Sequence, residues 1–337
     1  MANAKSSRPT MVDVANLSGV SYQTVSRVIN NHPYVSRETR QRVQDAIDEL
    51  GYRPSKAATK LASKSSKIIA TVLYGSWLSG LAEIALNVEL AAKTSGFDVI
   101  LINITEPHRQ LVEALENVQA WAVDGLILIV PVQSLPVQEI QKICQYTPFV
   151  FVDAHQAPDT PSVVIDEAYG TRQLVEHLIE QGHTQMGEIS GPLDWFNAQV
   201  RHQTCIQTFA DHQLAPPVPC EANWTVSGGY RAAKKLLADH ASLTAIIAAN
   251  DSMALGAMRA LHEAGLSVPQ DVSVVGFDDM PEAAYFTPPL TTVRRNLIQL
   301  GMTGFEHLMK RMDDLEAPMQ QQAILPRIVF RDSTQPV

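Results

Sequence analysis

The sequence predicts an α/β protein with a small all-α unit at its N-terminus, and three observations carry this prediction. Apolar runs rich in β-branched residues alternate with helical patterns between residues 67 and 293. Those runs are continuous rather than alternating, which is typical of parallel strands covered by helices on both faces. Residues 10–50 carry three short helical patterns instead. With 337 residues, 45% of them hydrophobic and 18% charged, the chain is long enough for two or three well-packed domains.

The N-terminal unit begins with two short helical patterns around a tight turn, TMVDVANLSGVSYQTVSRVIN at residues 10–30. Thr10 is expected to cap the first helix, and Asp13 to complete a capping box three residues later. Val14 and Leu17 are expected to form the apolar face of that helix. The short length and the capping pattern predict a helix that ends before Gly19, which suits a turn with positive φ.

A second helix is predicted from 22 to 29, with Ser21 as its N-cap. Its predicted inner face is Val25, Val28 and Ile29. The opposite face presents side chains whose donors and acceptors can read base edges in the major groove, namely Tyr22, Gln23, Ser26 and Arg27. A third helix is predicted from Ser36 to the residue before Gly51, with an inner face of Val43, Ile47 and Leu50. This arrangement is typical of a DNA-binding helix-turn-helix.

An ordinary α-hairpin with a polar outer face is the alternative interpretation, and charge argues against it. Up to residue 66 the chain has ten Lys and Arg residues against five acidic ones, a net charge of +5. The whole chain carries −9, so the remaining 271 residues carry −14. A basic head on an acidic body favours docking of the head on DNA.

The composition changes to that of a linker in RPSKAATKLASKSS, residues 53–66. Its alanines and lysines suffice for about two helical turns, which is below the length at which an isolated helix is stable in water. We expect this segment to become ordered only on a surface.

Beyond the linker, seven apolar runs predict buried parallel strands in two groups, near residues 67–165 and 166–293. The runs are IIATVLYG, FDVILINI, DGLILIV, PFVFVDA, SVVID, TAIIAAND and SVVGFDD. More strands are predicted than one sheet would comfortably hold. Ligands of such folds bind off the carboxyl ends of the strands.

Four polar residues follow predicted strands, and the fold would place them at that edge. They are Asp153 after PFVFV, Asn250 and Asp251 after TAIIAA, and Asp278 after SVVGF. Carboxylates and amides at rigid strand ends suit sugar hydroxyls, each of which can donate and accept a hydrogen bond. Asp and Asn after strands also cap helices, so the residues alone leave both roles open. We expect Asp251 to cap the helix from 252 to 264.

Several functional classes are disfavoured. The sequence contains no G-x-S-x-G elbow, P-loop or H-E-x-x-H motif, so it predicts no enzyme. Irregular spacing argues against a metal site at His202, Cys205, His212 and Cys220, and the three cysteines are expected to be reduced. The polar N-terminus and the absence of an apolar run of about 18 residues predict a cytoplasmic protein without a membrane anchor.

The chain resembles the lactose and galactose repressor family of bacterial transcription factors over nearly its whole length. SYQTVSRVIN, VSRETRQRV and ELGYRPSKAATKLAS are similar to the family's headpiece and hinge. GPL at 191–193, ANDSMALGAMRAL at 249–261, SVVGFDD at 273–279 and PPLTTV at 288–293 are similar to its core.

The resemblance implies a helix-turn-helix headpiece at 1–53, a hinge helix or linker at 54–66 and an effector-binding and dimerisation core at 67–337. It implies that the core has two Rossmann-like lobes of the type I periplasmic-binding-protein kind. The N-lobe would comprise about 67–165 and 297–323, and the C-lobe about 166–293 and 325–333.

The family's DNA contacts can be carried over to matching positions. Tyr22, Gln23 and Arg27 would read base edges, with Ser26 on the same face. The residues that would contact phosphates are Ser21, Thr24, Asn30, Tyr34 and Ser36, and Thr10 is a further DNA-binding residue. Leu61 matches the leucine that wedges between base pairs of the minor groove, and Ala58 and Ala62 would keep paired hinge helices close.

The implied effector-binding residues are Asp153, Asn197, Arg201, Trp224, Asn250 and Asp278. Arg201 matches the family's main effector-binding arginine, and Trp224 matches an aromatic residue that packs on a sugar ring. The chain also departs from the lactose-type pattern. Ile129 stands where that pattern has a polar cleft residue, and Arg295 and Leu297 replace a polar and aromatic pair, so the effector cannot be copied from the family.

The resulting hypothesis is a cytoplasmic homodimeric repressor that binds double-stranded operator DNA and is nucleoid-associated when bound. A small-molecule effector, a sugar, is expected to release it from the operator, and it is expected to need no cofactor. The C-terminal ILPRIVFRDSTQPV lacks the heptad pattern of a tetramerisation helix, which favours the dimer. One alternative is a family member that needs a purine or another metabolite as corepressor. Arg201 and Asp278 occur in both branches, whereas Trp224 and Asp153 favour a sugar. A solute-binding protein is the third interpretation, and the headpiece argues against it.

Overall fold

The computed structural model describes residues 9–30, 32–53, 65–75, 78–132, 136–154, 160–240, 242–315 and 321–337. The chain divides into two compact units, Met1–Ser66 and Lys67–Val337.

The N-terminal unit contains three helices, α1 (Met11–Ser18), α2 (Tyr22–Ile29) and α3 (Arg37–Leu50). Thr10 and Asp13 form the predicted capping box at the start of α1. Gly19 ends α1 with a φ of 68°, a left-handed conformation that glycine adopts without steric cost. The helix-turn-helix predicted from the sequence is therefore present.

The core of this unit confirms most of the predicted inner faces. Val14, Val25 and Val43 are fully buried and pack together. Leu17 is a correction, because it is 45% exposed while Ala15 and Ser18 are buried. At about 100° per residue, the stripe that contains Val14, Ala15 and Ser18 leaves Leu17 on its flank.

The second unit alternates strands and helices, as the apolar runs predict. Its described strands are β1 (Ile68–Tyr74), β2 (Asp98–Ile104), β3 (Gly125–Ile129), β4 (Phe149–Val152), β5 (Ser162–Ile165), β6 (Met186–Ser190), β7 (Val218–Glu221), β8 (Ala245–Ala248), β9 (Ser273–Val275), β10 (Thr292–Arg294), β11 (Gln321–Ile324) and β12 (Arg327–Val329). Its described α-helices are α4 (Ser79–Thr94), α5 (Arg109–Trp121), α6 (Val137–Ile143), α7 (Glu167–Glu180), α8 (Phe196–Asp211), α9 (Val226–Asp239), α10 (Asp251–Glu263) and α11 (Leu297–Asp313).

Two parallel sheets organise these elements into two lobes. The N-lobe sheet has the order β11-β5-β4-β3-β1-β2, and the C-lobe sheet has the order β7-β6-β8-β9. A short antiparallel pair joins β10 to β12, with Val293 opposite Ile328. All seven predicted runs form strands, and the predicted α/β class with two parallel-sheet lobes is confirmed.

The chain passes between the lobes more than once. After β10, helix α11 packs on α4 and against β3, β4 and β5 of the N-lobe sheet. Strand β11 then joins that sheet next to β5, and β12 returns to β10. Arg295 lies in the short crossing between β10 and α11, so its side chain can reach groups of both lobes.

Candidate functional site

The outer face of α2 is the candidate reading surface of the N-terminal unit. Tyr22, Gln23 and Arg27 are exposed on it, whereas Val25 and Val28 on the opposite face are buried. No described residue forms a hydrogen bond with any of those three exposed side chains. Their donors and acceptors are therefore available to base edges.

Three of the residues predicted to lie at the DNA, Thr10, Ser21 and Ser36, are N-caps of helices. Ser21 and Ser36 are N-caps, and each hydroxyl accepts a hydrogen bond from a backbone N–H three residues later, at 3.2 Å. Tyr34 is 87% exposed. A capped helix N-terminus carries partial positive charge, which suits a phosphate neighbour.

Two further residues predicted to contact DNA, Thr24 and Asn30, form hydrogen bonds with neighbours at or within α2. Thr24 shares a hydrogen bond with Ser21, and Asn30 donates to Ser26 at 3.4 Å. The DNA roles of these residues stay predictions. The hinge predictions, Ala58, Leu61 and Ala62, lie outside the described residues.

Arg40 is a residue of this surface that the sequence patterns did not single out. It lies on α3 and donates hydrogen bonds to the carbonyl oxygens of Val28, at 3.3 Å, and His32, at 2.9 Å. A cation at a helix C-terminus satisfies carbonyls that the helix itself leaves free. Arg40 thereby positions the end of the reading helix and the loop that follows.

The second unit contains a cavity of about 1180 Å³ at the carboxyl ends of strands from both lobes. The structure brings all six predicted effector residues together in its wall: Asp153, Asn197, Arg201, Trp224, Asn250 and Asp278. Ile129 is fully buried in β3 and is not part of the wall. Arg295 and Leu297, noted as departures from the lactose-type pattern, line the cavity as well.

Arg201 is buried and fully engaged with protein groups. Its Nε donates to Glu167 Oε2 at 2.8 Å, Nη1 donates to the carbonyl oxygen of Ala249, and Nη2 lies 3.5 Å from Asp278 Oδ1. Its guanidinium also stacks over the Phe277 ring, with Cζ 3.6 Å from the ring centroid. The conformation of Arg201 is thus fixed before any ligand arrives.

Arg295 connects the same carboxylates to the N-lobe. Its Nη2 donates to Asp153 Oδ1 at 2.5 Å, and its Nη1 lies 3.4 Å from Asp278 Oδ1. Its Nε lies 3.6 Å from Glu167 Oε1. Burial alone would lower the pKa of Arg295, but the surrounding carboxylates raise it above its usual value, so the guanidinium stays charged.

Glu167, at the first turn of α7, is a member of this network that the sequence patterns missed entirely, whereas Arg295 was noted only as a departure from the family pattern. It is 5% exposed and contacts both guanidinium groups. Its neighbour Asp166 is the recognisable N-cap of α7, which made Glu167 look like an ordinary first-turn acid. We define the arginine–carboxylate network as Asp153, Glu167, Arg201, Asp278 and Arg295.

Four cavity residues have a left-handed backbone that non-glycine residues rarely adopt. The φ values are 58° for Asp153, 66° for Trp224, 108° for Asp278 and 53° for Asp279. Such conformations cost about 1–3 kcal/mol each and concentrate at binding sites, where the surrounding structure holds them. Their coincidence in one cavity supports a binding role for this wall.

Trp224 contributes both an aromatic face and a free donor. It packs against Trp195 with the ring centroids 5.8 Å apart, and Gly191 leaves no room for a Cβ beneath its ring. Its carbonyl oxygen accepts a hydrogen bond from Asn250 Nδ2 at 3.1 Å. Trp224 Nε1 is buried, and no described residue accepts a hydrogen bond from it. A buried donor without an acceptor calls for a partner that the chain itself does not supply.

The helix cap predicted for Asp251 needs correction. The N-cap of α10 is Asn250, whose Oδ1 accepts from Met253 N at 2.8 Å, and not Asp251. Asp251 instead accepts from Met280 N at 2.8 Å and from the Thr292 hydroxyl at 2.5 Å. Asn250, which has an extended backbone directly after β8, is the residue that caps the helix. The Asp251 side chain is therefore available to accept hydrogen bonds from Met280 and Thr292.

Burial, together with the neighbouring carboxylate of Asp278, raises the pKa of Asp251 to about 8. The folded protein therefore holds a proton on this carboxyl at neutral pH that the unfolded chain releases. The stability from this proton is fully present below the unfolded pKa of 3.8 and is lost as the pH rises through about 8.

Asp251→Asn is expected to keep the fold and remove this pH dependence, because asparagine accepts from Met280 N and donates to Thr292. Between pH 5 and 7, the free energy of unfolding of the variant should fall less steeply than that of the parent, by up to about 1.4 kcal/mol per pH unit. Urea unfolding at several pH values measures this. Parallel pH profiles for parent and variant would show that Asp251 is ionised in the folded protein.

Packing accounts for two of the cysteines, and a hydrogen bond accounts for His202, one of the residues considered as a metal ligand. Cys144 and Cys205 are buried, and His202 Nδ1 pairs with Glu188 Oε2 at 2.7 Å. The described ranges contain no group of three or more side chains placed to hold a metal ion. No helix in the described part combines the length and apolar character needed to cross a membrane.

Comparison with known proteins gives two family matches and close full-length similarity. Residues 10–55 match the family of bacterial regulatory proteins of the lacI type, and residues 175–334 match a periplasmic binding protein-like domain. The chain is 34% identical to the lactose operon repressor of Escherichia coli K12 over 302 residues, covering 89% of this chain and 84% of that protein. It is 32% identical to an HTH-type transcriptional repressor, PurR, of Mannheimia succiniciproducens, covering 97% and 99%.

A solved structure shows the same arrangement of elements. The lac repressor dimer bound to operator and the anti-inducer ONPF superposes with a TM-score of 0.93 at 32% identity, covering 98% of this chain and 100% of that one.

Proposed function

The chain belongs to the lacI family of bacterial regulatory proteins, and from this premise we propose that it is a homodimeric transcriptional repressor released from its operator by a sugar. The observation that carries the sugar assignment is the cavity wall, where the Trp224 ring and the Asp278 carboxylate line the same space. The headpiece would hold the operator, and the core cavity would hold the sugar.

The chemistry of the wall supports a polyhydroxylated ligand. Asp278 Oδ1 is shared by both arginines, while the side chain as a whole remains 30% exposed. Its carboxylate can accept from hydroxyl groups, Trp224 Nε1 can donate to one, and the indole face can cover the apolar side of a sugar ring. Asn197 already donates to Asp153 at 3.3 Å, so these two residues would shape the pocket more than they bind.

The proposed switch couples this cavity to the headpiece. The arginine–carboxylate network joins Asp153 of the N-lobe to Glu167 and Asp278 of the C-lobe, and a ligand that competes for these groups changes how the lobes close. Such coupling is typically about 1–3 kcal/mol, and operator binding must weaken sugar binding by the same factor. The hinge at 54–66 would carry the change to the DNA, with Leu61 as its wedge.

We further propose that the chain acts in the cytoplasm, without a cofactor and without catalysis. The similar full-length proteins are named as repressors, which supports this. The dimer is supported by the lac repressor structure, which is a dimer on its operator.

The experiment that tests the proposal measures operator affinity with and without candidate effectors. Operator sequences are selected from random DNA by the full-length protein, and binding is then titrated in the presence of sugars and purines. Release by a sugar supports the proposal. A purine or other ligand that strengthens operator binding would instead establish the corepressor alternative. If the selection enriches no DNA sequence, the chain is not a sequence-specific regulator.

Arg27→Ala is expected to lose about 1–3 kcal/mol of affinity for the selected operator while sparing random DNA, because Arg27 is exposed on the reading face and pairs best with guanine. Gel-shift titration on both DNAs measures this. Arg37→Ala is the control for charge, since it removes one exposed cation from the start of α3, off the reading helix, and any loss it causes should be equal on both DNAs. Equal losses on operator and random DNA would assign Arg27 to phosphates.

A further inference from the structure

The cations of the cavity wall are the feature that bears on which ligands can enter. Four arginines line the cavity: Arg201, Arg294, Arg295 and Arg327. Arg201 and Arg295 are 4% and 8% exposed and belong to the arginine–carboxylate network. Arg294 pairs with Asp279, which also accepts from Arg331 at 2.6 Å.

The acidic groups of the wall outnumber these cations. Six acidic residues line the cavity: Glu83, Asp153, Asp251, Asp278, Asp279 and Glu282. Glu167 adds a further buried carboxylate in contact with both network arginines. Without Asp251, and with Glu167 and Arg331 included, six carboxylates face five guanidinium groups, so an excess of negative charge remains.

Five of the described α-helices begin at the cavity, and side chains cap three of them, α9, α10 and α11, which leaves an anion less compensation at those three starts. Asn250 caps α10 through Met253 N, and Asp251 N donates to the carbonyl oxygen of Phe277. These N–H groups would otherwise favour an anion. Arg327 is exposed and lies in register opposite Arg294, where water and salt screen it.

We propose that this cavity selects an effector without negative charge and excludes phosphorylated sugars, sugar acids and nucleotides. The inference rests on the proposed function only in placing the effector in this cavity. An entering anion that displaces a carboxylate from Arg201 or Arg295 leaves that carboxylate buried and unpaired, and an anion that remains without a cation is itself unpaired. Both outcomes carry a large desolvation cost. Pairing with Arg327 is the remaining outcome, and it gains little because Arg327 is exposed to water and salt. The two arginines orient the acceptor oxygens of Asp278 for hydroxyl groups instead of binding a ligand charge.

Calorimetry with matched pairs tests the exclusion on the full-length protein. The pairs are glucose with glucose 6-phosphate, galactose with galacturonate, ribose with ribose 5-phosphate and inosine with inosine monophosphate. Inorganic phosphate is titrated separately against a chloride control of equal ionic strength. We expect no saturable binding of inorganic phosphate, and any neutral member that binds should bind at least about 100-fold more tightly than its charged partner.

Two variants test the cause. Asp278→Asn and Glu167→Gln each remove one carboxylate that both arginines share, and each should create saturable binding of inorganic phosphate, with affinity at least about tenfold above any residual binding by the parent. Asp278→Asn is the safer of the two, because Asp278 is partly exposed. Glu116→Gln is the control for net charge, since it removes an exposed carboxylate on α5 away from the cavity.

The outcomes separate cleanly. Saturable phosphate or sugar-phosphate binding by the parent at this cavity overturns the proposal. Failure of both network variants to gain phosphate binding overturns its stated cause, and an equal gain in Glu116→Gln assigns the effect to net charge alone. Failure of the proposed function shows instead in the operator titration, where no neutral sugar releases the DNA while phosphate exclusion persists.

Discussion

Arg201→Ala is expected to lower the free energy of unfolding of the core by about 3–5 kcal/mol, because it leaves Glu167 buried without its closest cation. The guanidinium also satisfies the carbonyl oxygen of Ala249 and lies against the Phe277 ring, and both contacts disappear in the variant. The match of Arg201 to the family's effector-binding arginine predicts only that the variant no longer responds to its sugar. The buried ion pairs predict a loss of stability in addition.

Urea unfolding of parent and variant measures this effect. A double variant, Arg201→Met with Glu167→Gln, is the matched control, because it removes the cation together with the carboxylate that depends on it. We expect it to recover most of the lost stability while remaining unresponsive to the sugar. If Arg201→Ala unfolds at the parent's urea concentration, the network contributes little to stability and the arginine is free to serve the ligand.

The sequence predicted the strands whose runs are continuous and apolar, and missed those that are interrupted. Strand β6 is fully buried, yet Glu188 lies in the middle of it and hides the pattern. His202 on α8 offsets the cost of burying that carboxylate, because it forms a hydrogen bond with Glu188. This hydrogen bond is the main reason why the pKa of His202 is raised. A pairing of this kind depends on tertiary contact, so periodicity cannot reveal it.

Part of the candidate cavity was likewise predictable from the sequence. Polar residues after strands mark the binding edge of a parallel sheet, and Asp153 and Asp278 both lie there. Glu167 and Arg295 were not predicted as site residues, because a helix-start acid and an arginine in a crossing segment look ordinary until both lobes are in place. The sequence could not reveal that Arg201 and Arg295 form ion pairs with carboxylates of the chain. Those ion pairs neutralise the two arginines, so neither is available to bind a charged ligand.

Trp224→Ala is expected to weaken sugar binding strongly and to cost the core about 3–5 kcal/mol of stability, because the buried indole fills the space between Trp195 and Gly191. The sense of the response should be unchanged, with a higher sugar concentration needed for release. Trp121→Ala is the control, since Trp121 is 42% exposed on α5 and does not line the cavity.

Trp224→Phe separates the two contributions of this side chain. Phenylalanine keeps an aromatic face but lacks the Nε1 donor that has no acceptor among the described residues. If that donor serves a sugar hydroxyl, the variant should bind the identified sugar about tenfold more weakly, because a hydroxyl is then left unpaired in a buried place. Calorimetry decides between the roles: unchanged affinity in Trp224→Phe but not in Trp224→Ala would reduce Trp224 to a stacking surface. Unchanged affinity in both would remove it from the effector site.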